Sequence, residues 1–145
     1  MWKIISYIKK GISHSVNQDA ISVLGMKENN GVTIGVLADG LGGLKGQGGK
    51  TKSEIASNAV VKKVSEIVSL HFDDLIKEPD KRIEFAQKMI LCCKDMINER
   101  IIEHNAKYNS QVAITDMDCT LLFVAVKDNK AIMCHIDNRV IIIIA

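Results

Sequence analysis

The spacing of apolar residues changes twice along the chain. Near the N-terminus, residues 2–8 are rich in β-branched and aromatic side chains (Trp2, Ile4, Ile5, Tyr7, Ile8) and predict a strand. Residues 19–24 predict a second strand after a polar stretch, and residues 32–38 a third. The third is entered through Asn29, Asn30 and Gly31, a hairpin signal because Asn and Gly tolerate positive φ. It is apolar at nearly every position, which predicts cover on both faces. Beyond residue 51 the period lengthens. Ala56, Val60, Val64 and Ile67, with Ala59 and Val68 beside them, form one helical stripe, and Thr51 and Glu54 have capping-box spacing. Pro79 opens a second helix, with Asp80 as its expected cap. The stripe of this helix is Ile83, Ala86, Ile90, Cys93, Ile97 and Ile101, and it fades across residues 105–109. Strand character returns at residues 119–126 and 131–136, joined by Lys127, Asp128, Asn129 and Lys130, and again at 140–145.

The order β-β-β-α-α-β-β-β predicts an α+β sandwich rather than a parallel βαβ sheet. Val140, Ile141, Ile142, Ile143 and Ile144 are five successive β-branched residues. Such a strand is expected to be paired and covered, either by a partner chain or by a further segment of a longer domain.

Composition narrows the class. With 145 residues, 47% hydrophobic and 25% charged, the chain is sized for one domain. The net charge is +2, and no basic run is longer than a pair such as Lys9-Lys10 or Lys62-Lys63, which argues against nucleic acid as a partner. No stretch approaches the ~20 apolar residues of a membrane span. The basic residues of the N-terminus follow its apolar ones, unlike a signal peptide. Cys92, Cys93, Cys119 and Cys134 lack paired metal spacing, so a reduced, cytoplasmic protein is expected. One of Cys92 and Cys93 is expected in the core and the other at its boundary. Met89, Met96, Met117 and Met133 are expected to fill gaps in the core, and Asp73-Asp74 to form a solvated connector.

Candidate chemistry begins where the third strand ends. Six of the eleven residues 39–49 are glycine, and Gly49-Lys50-Thr51 matches the end of a phosphate-cradling loop. That pattern requires glycine at position 44, which is Leu44, and Asp39 would repel phosphate unless a cation intervened. A carboxylate leaving an apolar strand, followed by glycines that expose backbone carbonyls, suits a hard divalent cation such as Mg²⁺ or Mn²⁺. Asp19 and Asp137 also stand at strand ends. Convergence of Asp19, Asp39 and Asp137 is therefore expected, with a metal offsetting their repulsion. Taken singly, each acid reads more readily as a turn former than as a ligand.

Four segments, in order, resemble the motifs of metal-dependent protein phosphatases of the 2C type. Gly11 to Ala20, which includes His14, Asn17, Gln18 and Asp19, is similar to the first motif, and Asp39-Gly40-Leu41-Gly42-Gly43 to the DGxGG motif. Asp118-Cys119-Thr120 sits where relatives have Gly-Ser-Thr, and Ile136-Asp137-Asn138-Arg139 where they have Gly-Asp-Ser-Arg. The resemblance spans nearly the whole chain and implies a β-sandwich flanked by helices. It further implies that two metal ions activate water to hydrolyse phosphoserine or phosphothreonine in a protein substrate. By this resemblance Asp39 bridges the metals, the Gly40 carbonyl binds one and Asp19 holds metal-bound water. Asp137 answers to the ligand of a third, weaker metal, and His14 stands where most relatives have a phosphate-binding Arg.

Neutral imidazole is a poorer dianion ligand than guanidinium. Leu41 replaces a possible general-acid His, and Ile136 replaces a glycine beside Asp137. The later aspartates of the family pattern do not occur, so residues 1–145 resemble the N-terminal portion of one such domain, about three-fifths of it. With Asp39 as the one matched direct ligand of the core pair, weak metal binding is expected. A non-catalytic module of the same fold that binds a partner, and a nucleotide-binding protein using residues 42–51, are the alternatives.

Overall fold

The computed structural model describes residues 17–25, 30–40, 52–137 and 140–144. The expected strand at residues 2–8, His14 and the glycine-rich loop lie outside the described residues. Five strands form one antiparallel sheet in sequence order: β1 (Ala20–Leu24), β2 (Thr33–Ala38), β3 (Leu121–Lys127), β4 (Lys130–Asp137) and β5 (Val140–Ile144). Two helices, α1 (Ser53–Lys77) and α2 (Arg82–Tyr108), separate β2 from β3. The class is α+β, as expected, and within the described residues the expected sandwich contributes one sheet with a helical layer on one face.

The hairpins follow from local chemistry. Asn30 (φ 54°) and Gly31 (φ 77°) both adopt positive φ in the connection from β1 to β2, a conformation that Asn and Gly tolerate. Asp128 (φ 53°) does the same between β3 and β4. Pairing of Ala20 with Ala38, Val36 with Phe123 and Phe123 with Cys134 places alternate residues on a common face. Ile34, Val36, Ala38, Phe123, Ala125, Ile132 and Cys134 are buried there against the helices.

The opposite face departs from expectation. Leu37 (40% exposed), Val124 (39%) and Met133 (42%) open to solvent, so among the described residues this face of β2 is covered at Thr33 and open at Leu37. Met133 is therefore no core filler. An apolar run reports that a strand prefers cover, not which chain segment supplies it.

Helix α1 lies along β1 and β2, and α2 returns antiparallel beside it. Val64, Val68 and Phe72 of α1, with Met89, Cys93 and Ile97 of α2, fill the interface with the sheet. Serines are built into the buried stripe of α1. Ser65 donates to the Val61 carbonyl and Ser69 to the Ser65 carbonyl, which satisfies hydroxyls removed from water.

Both expected caps are displaced. Lys52 occupies the N-cap of α1 without a side-chain hydrogen bond, one position beyond Thr51. Pro79 starts a 3₁₀ turn (Pro79–Lys81), so α2 begins at Arg82 and Asp80 caps nothing. The Arg82 guanidinium instead donates to the Leu75 and Ile76 carbonyls (2.6 and 3.3 Å), satisfying the end of α1. Asp73 and Asp74 lie within α1 rather than in a connector, and Asp73 receives Lys127 at 2.6 Å. Asn109 closes α2 in the left-handed region, inside the expected range. Cys93 is buried and Cys92 exposed. No helix among the described residues is long and apolar enough to cross a membrane.

Candidate metal centre

The register of the sheet assembles the site. One rung beyond the Ala20–Ala38 pair, Asp19 comes opposite Asp39; one further, Gln18 comes opposite Gly40. On the other side of β2 the ladder continues too. The Thr120 N–H donates to the Asp39 carbonyl at 2.9 Å, and Gly40 bridges to Cys119. Extending the β3–β4 pairing by one rung sets Asp137 opposite Thr120. Asp19, Asp39, Thr120 and Asp137 thus form a row across one end of the sheet, at positions that share the face of Leu37 and Met133.

Within that row only two carboxyl groups meet. A side-chain hydrogen bond that the protonated Asp39 carboxyl donates to Asp19 holds Asp39 above the usual carboxylate range, and burial and the Asp19 charge add to the shift. Asp137 stands two strands from Asp39, about 10 Å at the ordinary strand spacing. Among the described residues no three metal-ligating side chains converge, so the expected meeting of three acids is a pair in this structure.

Backbone geometry explains why the residue after Asp39 is glycine. A Cβ on Gly40 would lie 2.2 Å from the Gln18 carbonyl oxygen, well inside contact distance. Any side chain there would force apart the two segments that bring the acids together. Asn17 contributes an Asx turn at the same corner, its Oδ1 accepting from the Asp19 N–H at 3.2 Å. Ile136 lies on the helix-facing side, opposite Leu121, so it does not crowd the acid row.

The donors fit a hard divalent cation. Two adjoining carboxyl groups and the carbonyl of a glycine held in close approach are oxygen ligands, and Mg²⁺ and Mn²⁺ prefer oxygen. The nearest sulfur does not compete. Burial, with the charges of Asp118 and Asp39, pushes the Cys119 thiol up to about 11, so it remains protonated at neutral pH. A 400 Å³ cavity between the helices and the sheet, lined by Met89, Cys93, Met117 and Leu121 among others, is mainly apolar, with Asp118 and Asp137 also in its lining.

Sequence reasoning found both acids of the pair and Gly40. It missed the supports behind them, which come from α1. Ser57 donates to the Gln18 carbonyl at 2.5 Å, and Ser53 accepts from the Asp118 N–H at 3.3 Å. The available signal was two serines four residues apart at the buried start of an otherwise apolar helical stripe.

A family model described as "Protein phosphatase 2C" matches residues 9–143, and the chain belongs to that family. Among solved structures it is similar to the serine/threonine phosphatase of S. agalactiae, with 20% identity and a TM-score of 0.44. That match covers 93% of this chain and 51% of the other, so this chain spans about half the length of that structure. No curated protein matches the chain.

Proposed function

We propose that the chain carries the metal site of a protein serine/threonine phosphatase. Asp39, the Gly40 carbonyl and Asp19 would hold Mg²⁺ or Mn²⁺, and phosphoserine or phosphothreonine in a protein would be the substrate. The observation that carries this reading is the register that sets Asp19 opposite Asp39 at the end of the sheet, with Gly40 in close approach to Gln18 beside them. Two carboxyl groups in hydrogen-bonding contact repel once both ionise, unless a cation takes the place of the shared proton. Membership of the protein phosphatase 2C family supports the choice of reaction.

When bound, divalent cations supply a water of lowered pKa and neutralise charge on the phosphoryl group. The chain itself contributes position and charge. The carbonyl of Asp39 is tied to β3 through Thr120, which fixes the main chain from which its carboxyl group projects. Asp19 lies beside it, where its free oxygens can accept hydrogen bonds and orient a nucleophilic water. The position of Asp137, two strands away in the same row, supports its assignment to a separate and weaker cation. His14 is proposed as a phosphate contact from its place in the first family motif.

Hydrolysis of p-nitrophenyl phosphate and of a phosphothreonine peptide tests the proposal. Turnover is expected only with added Mg²⁺ or Mn²⁺. Asp39→Asn is expected to lower it by about 10²-fold or more, the scale lost with one electrostatic stabiliser. Metal-independent turnover, or an Asp39→Asn variant as active as the parent, would contradict it. One observation favours a second reading, a binding module of the same fold without catalysis: no three ligands meet among the described residues. A folded chain that binds no Mn²⁺ and turns over neither substrate would decide for the module.

A further inference from the structure

Helix α1 is bound to the acid corner by side chains that do not themselves face a cation. Ser57 is 0% exposed, and its hydroxyl has two acceptors within reach: the Gln18 carbonyl at 2.5 Å and the Glu54 carbonyl at 3.4 Å. A hydroxyl has one proton, and the shorter contact takes it. The Gln18 oxygen that receives it is the same atom that a Cβ on Gly40 would strike. It is therefore fixed from two sides, by Ser57 across the helix interface and by the Gly40 main chain across the ladder.

Ser53, one helical turn earlier and also 0% exposed, reaches the other flank. Its Oγ accepts from the Asp118 N–H, the Asp118 carboxylate accepts from the Cys119 N–H at 2.8 Å, and Cys119 bridges to Gly40. The first two turns of α1 thus hold both segments that border Asp39 and Gly40.

Serines further along the helix provide an internal contrast. Ser65 and Ser69 are buried on the same stripe, yet their hydroxyls bond carbonyls of α1 itself, and the further partner of Ser65, the Ser22 hydroxyl at 3.1 Å, lies in the middle of β1 rather than at the acid corner. Burial of a serine on this helix does not by itself require a bond to the site.

We propose that Ser57, assisted by Ser53, is a positioning residue of the metal centre. It sets the separation of Asp19 from Asp39 by holding the carbonyl that precedes Asp19. The inference rests on the metal-site reading given above. Removing the hydroxyl leaves the Gln18 carbonyl without that buried donor and lets the Asp19 segment relax away from Asp39. Groups that orient a metal's ligands are commonly worth about 10- to 100-fold in metal affinity.

The test compares Ser57→Ala, Ser53→Ala and Ser65→Ala in the full chain. Mn²⁺ affinity is read from the electron paramagnetic resonance signal of free Mn²⁺, and peptide hydrogen exchange is read in the metal-free protein. Ser57→Ala is expected to weaken Mn²⁺ binding about 10-fold. It should also speed exchange in the peptide spanning residues 17–20. Ser53→Ala should weaken binding in the same direction, which keeps the proposal testable if Ser57→Ala fails to fold. Ser65→Ala should bind Mn²⁺ as the parent does.

Unchanged Mn²⁺ affinity in both Ser57→Ala and Ser53→Ala, or an equal loss in Ser65→Ala, would overturn the inference and leave the metal site standing. Failure of the parent chain to bind Mn²⁺ would overturn the site and the inference together.

Discussion

At the scale of single residues, the Asp19–Asp39 pair sets a pH dependence whose sign follows from its hydrogen bond. The folded state holds the Asp39 proton more tightly than the unfolded chain does, because the pKa is raised on folding. The stability this contributes to the metal-free protein is fully present below the unfolded pKa. It is lost as pH rises through the folded value. Metal binding runs the other way, since the proton must leave before a cation can bind. Metal-free thermal stability is therefore expected to fall from acid pH towards neutrality, and Mn²⁺ affinity to rise over the same window. Asp39→Asn should remove both trends. Calorimetric scans and titrations across that pH range check the two signs together, and parallel slopes would contradict the account. The acids were legible in the sequence because a carboxylate at the end of an apolar strand is conspicuous. Ser57 and the Gln18 carbonyl were not. A serine on a helical stripe reads as a small residue, and a main-chain carbonyl leaves no trace in the alphabet.

Among the elements, α1 joins core and site. Its middle is ordinary apolar packing, whereas its first two turns exchange hydrogen bonds with the corner that holds the acids. Phe72, fully buried, anchors the middle. Phe72→Ala is expected to cost about 3–5 kcal/mol in denaturant unfolding through lost burial and the cavity left behind. Leu70→Ala, two residues away but 69% exposed, should stay within about 0.5 kcal/mol. Similar losses at the two positions would show that the helix is misplaced on the sheet. Among the described residues, element order was readable because the apolar period switches cleanly between 2 and 3.6, and Asn30-Gly31 marked the connection between β1 and β2 by conformational need. The helix starts were less readable. Thr51-Glu54 and Pro79-Asp80 both carry start signals, yet the caps fall at Lys52 and Lys81, since local spacing competes with how the helices seat on the sheet.

For the molecule as a whole, the antiparallel register turns acids separated by up to 118 positions into one row, with Thr120 between the pair and Asp137. The row, its face and its spacing could not be read from the chain, because a register shift of one residue would reverse every side chain. The same register leaves Leu37 open on the far face, where the hydrophobicity of its strand predicts cover, with Val124 and Met133 open on that face too. Acidic groups elsewhere compete in principle for cations, including Glu54 and Glu103 between the helices and Asp74, Glu78 and Glu84 at their turn. Substoichiometric Mn²⁺ added to isotopically labelled protein discriminates among these places by paramagnetic broadening of amide resonances. Broadening is predicted first at Asp19, Asp39, Gly40 and Thr120, with Asp128 at the opposite end of the sheet unaffected. Broadening centred on the helix groove or the helix turn, with the Asp19 and Asp39 amides left sharp, would contradict the assignment.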